Sequence, residues 1–598
     1  MTVPARSAVP KAHTWNAESV FASEAEWAAE LKSVSESLAD LKRFHGHLGD
    51  GPAALLAYIE ASSTVLRRVF KVGFYAQMTQ ACDTSDAKAQ AMAGQAGALI
   101  GQMFAALAFA DPETIAIGHD TLKQWMAQEP RLQIFKHYAD NLFRIQAHVR
   151  SGEVEELLGL LQDPFGMAAN THQMLMAADM KIQAALSGDG QTLPVTQGTI
   201  NKLLDSPDRE TRRTAWEHYA DAFLASKHTL ASNLTLSLKQ DALLAQARRY
   251  QSSLEAALAP NNIATSVFHN LVETFKKNLP TWHKYWRVRR KALGVDTLHP
   301  YDIWAPLSSA KPHVPYEQAV EWICAGMTPL GAEYVETVRR GCLEQRWVDI
   351  YPNQGKTQGA FSYGTPDTYP FIMMNYSDNL GSMSTLAHEL GHSMHSYHTW
   401  RHQPILYAQY SLFVAEVASN FNQALVRDYL MKTHSDPQFQ IALIEEALGN
   451  FHRYFFIMPT LARFEFETHS RVEQGQGLNA DELIGLMADL FSEAYGGEMH
   501  IDRERVGITW ATFPHLYQGY YVFQYATGIS GAHALAERVL AGVPNAAQDY
   551  LAFLSAGGSL YPLDALKRAG VDLSTPEAVE KTFAVLARYV DRLEQLVG

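Results

Sequence analysis

Cysteine is scarce in this sequence. Only Cys82, Cys324 and Cys342 occur among 598 residues. They lie far apart, their number is odd, and none stands at the spacing of a metal-ligating pair. A disulfide framework is therefore excluded, and we expect free thiols in a reducing compartment.

Positive charge is also limited. The chain has 49 Lys and Arg against 63 Asp and Glu, a formal net charge of −14. Binding to phosphate backbones needs clustered Lys and Arg, so the composition argues against a nucleic-acid partner. The same total leaves room for one basic pocket and says little about a small substrate.

Long hydrophobic runs are missing as well. Residues 1–15 contain no apolar core of signal-peptide length, so we expect no export by that route and a cytoplasmic location. The uncharged stretch 92–110 is mostly Ala and Gly and includes Gln95 and Gln102, which makes it too weakly apolar for a bilayer. We expect it to be a helix buried on all sides in a helical core, and we expect no membrane partner.

Helical periodicity dominates the remainder and predicts a mainly α fold. Gly-rich residues 187–190 followed by β-branched residues predict a small hairpin, and Ser206, at the cap, with Pro207 and Asp208 predicts the start of a helix. We place a boundary near residue 190, giving an N-terminal helical domain at 1–190 and a second domain at 191–598, which contains the motifs that carry chemistry.

Three short β-rich runs, at 347–351, 359–363 and 371–376, predict a small sheet. They are followed directly by a His-rich segment at residues 388–398. The edge strand of such a sheet could hold an extended peptide by backbone hydrogen bonds. The alternative is a hairpin that only covers the following helix, and the sequence favours neither.

The most informative motif is His-Glu-Leu-Gly-His at residues 388–392. In a helix, His388 and His392 project from one face and can share a zinc ion. Glu389 then points beside the metal and can handle the protons of a water molecule. The alternative is a buried helix with two satisfied histidines.

The segment around this motif has the features of a helix. Apolar residues recur at helical spacing from residue 386 to 397, and Ser382 or Ser384 can cap the start. Gly391 is unfavourable inside a helix, so we expect another part of the chain to approach its backbone closely.

A catalytic zinc usually has three protein ligands, and Glu416 is the best candidate for the third. It stands in a helical apolar stripe, where a lone carboxylate is costly unless it binds a cation. The stripe comprises Phe413, Val417, Phe421 and Leu425. A salt bridge to a nearby Arg is the alternative, and His395 and His398 are rival ligands.

Residues 513–528 contain one His and four Tyr between positions 515 and 525. Such donors can stabilise the oxyanion of a tetrahedral intermediate. An aromatic core helix or sheet edge is the other interpretation of a Tyr-rich run.

With these clusters the chain resembles the oligoendopeptidase F branch of the thimet-type zinc oligopeptidases. The resemblance spans nearly the whole chain and is carried by residues 359–361, 374–376, 384–393, 413–419 and 515–528. It implies a bilobed helical metallopeptidase with a deep central channel for short unfolded peptides and a small sheet beside the motif helix.

The resemblance also implies roles for single residues. One Zn²⁺ per chain would be bound by His388, His392 and Glu416, with Glu389 as general base and then acid. In the family's C-terminal motif a His and tyrosines bind substrate and polarise the scissile carbonyl.

His515 and Tyr525 match this C-terminal motif best, and Tyr521 follows. Gly359, Ala360 and Phe361 are the further substrate-binding candidates, on the predicted edge strand.

One position departs from the family pattern. Where relatives often carry a second Glu behind a zinc-binding His, this chain has Gln423, on the same helical face as Glu416. An amide can accept a hydrogen bond from imidazole but cannot raise the basicity of the ligand as a carboxylate would.

The sequence therefore predicts a zinc-dependent endopeptidase acting on internal bonds of short oligopeptides. An exopeptidase on the same scaffold, such as a dipeptidyl carboxypeptidase, is the nearest alternative. A peptide-binding protein with a vestigial site is the alternative from another class. The sequence predicts no particular oligomeric state.

Overall fold

The computed structural model describes residues 3–598, and its architecture is mainly α-helical, as predicted. The helices are α1 (Glu24–Asp40), α2 (Pro52–Cys82), α3 (Ala87–Leu107), α4 (Ala110–Ile117), α5 (His119–Gln128), α6 (Lys136–Arg144), α7 (Gly152–Leu160), α8 (Gln162–Met174), α9 (Ile200–Leu204), α10 (Arg209–Leu224), α11 (Lys227–Ala247), α12 (Ser253–Leu258), α13 (Thr265–Leu293), α14 (Tyr316–Gly326), α15 (Ala332–Leu343), α16 (Leu380–His402), α17 (Leu412–Thr433), α18 (Pro437–His452), α19 (Met458–Glu473), α20 (Ala480–Tyr495), α21 (Arg503–Gly507), α22 (Phe523–Leu540), α23 (Ala546–Ala556), α24 (Pro562–Arg568) and α25 (Glu577–Val597). The strands are β1 (Ala185–Leu186), β2 (Thr192–Leu193), β3 (Val348–Asp349), β4 (Phe361–Tyr363) and β5 (Phe371–Met373).

The chain divides into two compact units, each assembled from three segments. The first unit comprises Met1–Gln146, His313–Leu430 and Leu535–Val571, and the second comprises Ala147–Pro312, Met431–Ala534 and Asp572–Gly598. A single boundary near residue 190 does not describe these units. The division into domains at 1–190 and 191–598 stays a prediction.

Two small sheets are present where the sequence predicted them. β1 and β2 form an antiparallel hairpin. In the first unit, β5 lies between β3, to which it is parallel, and the edge strand β4, to which it is antiparallel. The Ser362 hydroxyl on β4 is 2.8 Å from the Ser393 hydroxyl on α16, so this sheet lies beside the motif helix.

Two helices begin at residues other than those predicted. The N-cap of α16 is Asn379, whose side chain accepts a hydrogen bond from the backbone N–H of Ser382. The N-cap of α10 is Asp208, which accepts from Thr211, so Ser206 is not the cap. In both places several residues with good capping chemistry stand close together, and tertiary packing selects among them.

Helix α3 is not buried on all sides, so that expectation was wrong. Its buried positions recur every three or four residues on one face, at Ala89, Met92, Ala96, Leu99 and Met103, while Phe104 is 66% exposed. Of the described helical segments, Ala87–Ile117 is the one long and apolar enough to cross a membrane by length and composition. A single such segment is weak evidence for a membrane span.

A buried ionic cluster ties the N-terminal segment to the sheet of the first unit. The Asp349 carboxylate on β3 accepts hydrogen bonds from Arg6, with Nη2–Oδ2 at 2.6 Å, and lies 2.7 Å from Lys356 Nζ. Burial opposes ionisation, but Arg6 and Lys356 together lower the pKa of Asp349. The three cysteines, all buried, are free thiols, as expected.

Candidate metal centre

Helices α16 and α17 touch at Gly391. A Cβ atom at this position would lie 2.4 Å from the Ala418 carbonyl oxygen and 2.5 Å from Ser419 Cα. Only a residue without a side chain permits this backbone contact. The close approach expected at Gly391 is therefore confirmed, and it brings the two helices together beside the motif histidines.

Three side chains from these helices converge. Glu416 Oε2 lies 3.4 Å from His388 Nε2 and 3.8 Å from His392 Nε2, and the ligand atoms of the three residues all lie within 4.8 Å of one another. Ligands about 2.0–2.2 Å from a tetrahedral ion are separated by roughly 3.3–3.6 Å, so this cluster fits one such ion. No other group of this kind occurs within residues 3–598, and the rivals His395 and His398 stand outside it.

The electrostatics favour the metal-binding protonation states. Burial lowers the pKa of His392 to about 4, so the imidazole is neutral near pH 7. Burial opposes ionisation of Glu416, but His388 and His392 outweigh it and lower the pKa of this carboxyl. Neutral imidazole and ionised carboxylate are the forms that bind metal ions.

Hydrogen bonds hold the ligand side chains in place. His388 Nδ1 lies 3.2 Å from Gln423 Oε1, an oxygen that can only accept, so Nδ1 donates and Nε2 keeps its lone pair for a metal. Gln423 Nε2 donates in turn to Ser384 Oγ at 2.8 Å. The Ser419 hydroxyl donates to Glu416 Oε2 at 2.8 Å. Gln423 thus lies behind the ligand candidate His388, in agreement with its place on the same helical face as Glu416.

Glu389 is the remaining charged group of the motif. It is 5% exposed, and none of the residues that the structure describes forms a hydrogen bond with its Oε2 atom. Burial raises the pKa of this carboxyl to about 7. A buried carboxylate with a free oxygen and a pKa near neutrality can take up and return a proton.

The predicted peptide-binding strand lies at the sheet edge. Phe361 is the first residue of β4, and all three residues of this strand are partly exposed. Gly359, just before it, has its carbonyl oxygen bonded to Asn375 Nδ2 at 2.9 Å, and Ala360 is half-buried. β4 is an edge strand of this sheet, and the binding role of these three residues stays a prediction.

The second unit contains the predicted His and Tyr cluster. The loop of residues 513–525, called the tyrosine loop below, brings the His515 ring to 5.8 Å from the Tyr521 ring and 6.0 Å from the Tyr525 ring. The hydroxyls of Tyr521 and Tyr525 are 2.9 Å apart. Burial, together with the charge of Arg453, lowers the pKa of His515. These three residues thus form one group of hydrogen-bond donors.

Two residues around this loop were not foreseen from the sequence. Tyr454, in the π-helical turn Arg453–Ile457, stacks on Tyr525 with ring centroids 5.1 Å apart. Glu465 on α19 accepts a hydrogen bond from the backbone of Tyr520. A π-helical turn leaves no clear sequence pattern, but Glu465 stands in an apolar helical context and could have been found by the reasoning that singled out Glu416.

The protein is mainly helical, and the two histidines of its His-Glu-x-x-His helix converge with a Glu from the next helix. The Glu of the motif itself is buried. These features together define the site of a metallopeptidase.

The comparisons with known proteins agree. The model of peptidase family M3 matches residues 202–585, and that of oligopeptidase F matches residues 113–182. Oligopeptidase PepF of Bacillus subtilis is 36% identical over 596 residues, covering 100% of this chain and 89% of the relative. Group B oligopeptidase PepB of Streptococcus agalactiae is 34% identical, covering 99% of this chain and 98% of the relative. The crystal structure of oligoendopeptidase F from Enterococcus faecium superposes with a TM-score of 0.75 at 29% identity, covering 96% of this chain and 99% of that one.

The chain belongs to peptidase family M3, in its oligoendopeptidase F branch. The resemblance stated from the sequence motifs is confirmed, and so is the prediction of a metallo-endopeptidase.

Proposed function

We propose that this protein hydrolyses internal peptide bonds of short unfolded oligopeptides with one zinc ion held by His388, His392 and Glu416. The observation that carries the proposal is this three-ligand cluster, within 4.8 Å, beside the free buried oxygen of Glu389. We propose the cytoplasm as its location, with no nucleic-acid or membrane partner.

The chemistry divides between the ion and the protein. When bound, zinc supplies a Lewis acid that polarises a carbonyl oxygen and makes a water molecule more acidic. Glu389 removes the proton from the attacking water and later delivers it to the leaving amine. A pKa near 7 suits both transfers, because the carboxyl exchanges its proton readily at neutral pH.

In this proposal the tyrosine loop supplies hydrogen-bond donors to the substrate. His515 and Tyr525 donate hydrogen bonds to the scissile carbonyl oxygen as it gains negative charge, and such bonds strengthen in the transition state. Tyr521 orients the Tyr525 hydroxyl through their 2.9 Å contact. The edge of β4, near Gly359 and Ala360, holds the peptide backbone, which suits varied sequences because no side chain is read.

The test is cleavage of a doubly blocked fluorogenic peptide of about eight to ten residues, with product mapping by mass spectrometry. We expect internal cleavage that a chelator abolishes and added zinc restores. Glu389→Gln should retain the metal and lose nearly all turnover, whereas Glu336→Gln, at an exposed position of α15, should match the wild type.

The alternatives give different results. Cleavage only of peptides with a free C-terminus would indicate an exopeptidase. Bound metal without any turnover would indicate a peptide-binding protein. Substantial activity in a clean Glu389→Gln preparation would refute the proposed proton transfers.

A further inference from the structure

The tyrosine loop contains a residue in an unusual backbone conformation. Tyr520 has φ of 54°, in the left-handed region that bulky residues rarely adopt. Its side chain is 2% exposed, so the residue is also packed into the interior of the second unit. Tyr520 directly precedes Tyr521, and its conformation sets the direction in which Tyr521 and the start of α22 leave the turn.

A buried carboxylate fixes this turn. The backbone N–H of Tyr520 donates to Glu465 Oε1 at 2.6 Å, and the Tyr520 carbonyl accepts from Gln524 at 3.1 Å. The Tyr520 ring packs against the His469 ring with centroids 4.8 Å apart. Both Glu465 and His469 belong to α19, so one helix holds the residue by its backbone and by its ring.

The charge on His469 follows from its surroundings. Nδ1 faces the carbonyl oxygen of Glu465 at 2.9 Å, and Nε2 faces Asp241 Oδ2 on α11 at 3.1 Å. Both neighbours are acceptors, and only an imidazolium donates from both nitrogens. Burial opposes this charge, but Asp241 and Glu465 raise the pKa of His469. An ion pair between α19 and α11 results.

Asp241 reaches the turn itself. A Cβ atom at Gly519 would lie 2.9 Å from Asp241 Oδ2. The carboxylate therefore abuts the backbone next to Tyr520, and a side chain at residue 519 would have to displace it.

This arrangement places ionisable groups in a core, where burial has a large cost in free energy. Glu465 is 1% exposed, burial raises its pKa to about 8, and within the described part of the chain its Oε2 atom has no hydrogen-bond partner. Apolar residues of similar volume are often at least as stabilising as buried ionisable groups. The network thus has a geometric consequence, the left-handed Tyr520, that an apolar core would not provide.

We propose that Glu465, His469 and Asp241 form a positioning network that holds Tyr520 in its left-handed turn and thereby places the Tyr521 and Tyr525 hydroxyls. The network touches no substrate and acts through the two tyrosines. The inference rests on the proposed function in one respect, the action of Tyr525 on substrate.

The kinetic test compares Glu465→Leu with Glu465→Gln in the zinc-loaded enzyme. Leu removes the acceptor for the Tyr520 N–H, and we expect kcat to fall at least tenfold with KM changed less than twofold and zinc content unchanged. The Gln side-chain oxygen can still accept, so Glu465→Gln should retain most of kcat. Equal losses in both variants would overturn the proposal.

Asp302→Asn provides the matched control. Asp302 is another fully buried carboxylate of the second unit, bonded to Arg209 and Arg212. Its substitution should lower stability while leaving kcat near the wild-type value. A kcat loss as large as that of Glu465→Leu would show a general effect of altering a buried carboxyl group and would overturn the proposal.

A crystal structure of Glu465→Leu tests the network without reference to activity. We expect Tyr520 to leave the left-handed region and the 2.9 Å contact between Tyr521 and Tyr525 to be lost. A retained contact would overturn the proposal. If Glu465→Leu does not fold, His469→Phe is the second variant. It keeps the ring that packs on Tyr520 but removes the hydrogen bonds of His469 to the Glu465 carbonyl and to Asp241. It should give the same displacement of Tyr520 and the same loss of the contact between Tyr521 and Tyr525.

The two proposals fail separately. If Tyr525→Phe leaves kcat unchanged, the catalytic role of Tyr525 fails, whereas the crystal structure of the network variant still decides the positioning role.

Discussion

The contact between Gln423 and His388 allows a prediction with a definite sign. Gln423 Oε1 lies 3.2 Å from His388 Nδ1, so Gln423→Glu replaces a neutral acceptor by a charged one at the same place. Gln423→Leu removes the acceptor while keeping similar bulk. The first change should tighten metal binding and the second should weaken it.

The magnitude follows from the kind of bond. A neutral hydrogen bond contributes about 0.5–1.5 kcal/mol net and one to a charged group about 1.5–3 kcal/mol. A gain of about 1 kcal/mol corresponds to roughly fivefold tighter binding. The bond from Gln423 to Ser384 need not be lost, because the serine hydroxyl can donate to the new carboxylate. Loss of the contact in Gln423→Leu should weaken metal binding about 10–100-fold.

The assay is competition between the protein and a chromophoric chelator of known zinc affinity, at one pH and ionic strength. Gln403→Leu is the matched control, because the Gln403 amide also makes a side-chain hydrogen bond in the same unit, to the Ser555 carbonyl at 2.8 Å. It should bind zinc like the wild type. Unchanged affinity in Gln423→Leu, or weaker binding in Gln423→Glu, would refute the assigned hydrogen bond.

Three further changes test other parts of the structure. Gly391→Ala places a Cβ atom 2.4 Å from a backbone oxygen, so it should destabilise by about 1–3 kcal/mol in urea unfolding; an unchanged midpoint would contradict the helix contact. Asp349 has a folded pKa below its unfolded value of about 3.9, so the stability it contributes is present above that pH and is lost as pH falls through the folded pKa. Asp349→Asn leaves Lys356 buried without its charge partner, so it should lower the free energy of unfolding by about 3–5 kcal/mol at pH 7. The variant should also lose less stability than the wild type below pH 4, which denaturant titrations at several pH values would measure. Parallel pH curves for the two proteins would argue against the ion pair. Tyr525→Phe should lower kcat more than it raises KM, and a pure KM effect would make Tyr525 a substrate-binding group only.

The metal cluster could be predicted because its signals are local. Two histidines four residues apart share a helical face wherever the helix lies. A carboxylate in an apolar stripe, as at Glu416, indicates a partner regardless of the tertiary structure. The sheet beside α16 was predictable for the same reason, since its strands and the motif follow one another along the chain.

Other features depend on packing that no local pattern encodes. Asn379 and Ser382 have similar capping chemistry, and only the entry of the chain into α16 decides between them. In α3, Ala and Gly fit a buried face and an exposed face equally well, so composition did not reveal that one side is open. The left-handed Tyr520 depends on Glu465, a residue 55 positions away.

The interleaving of the two units has a consequence for synthesis on the ribosome. The first unit needs residues Leu535–Val571 and the second needs Asp572–Gly598, so neither can complete its core before residue 571 has emerged. Domains that end early in a chain can fold during translation, whereas long-range closure of this kind delays folding and leaves apolar surface open meanwhile. The nascent protein is therefore expected to depend on holding chaperones until α25 packs against α13 and α18, and early stop codons should yield aggregation rather than a truncated enzyme.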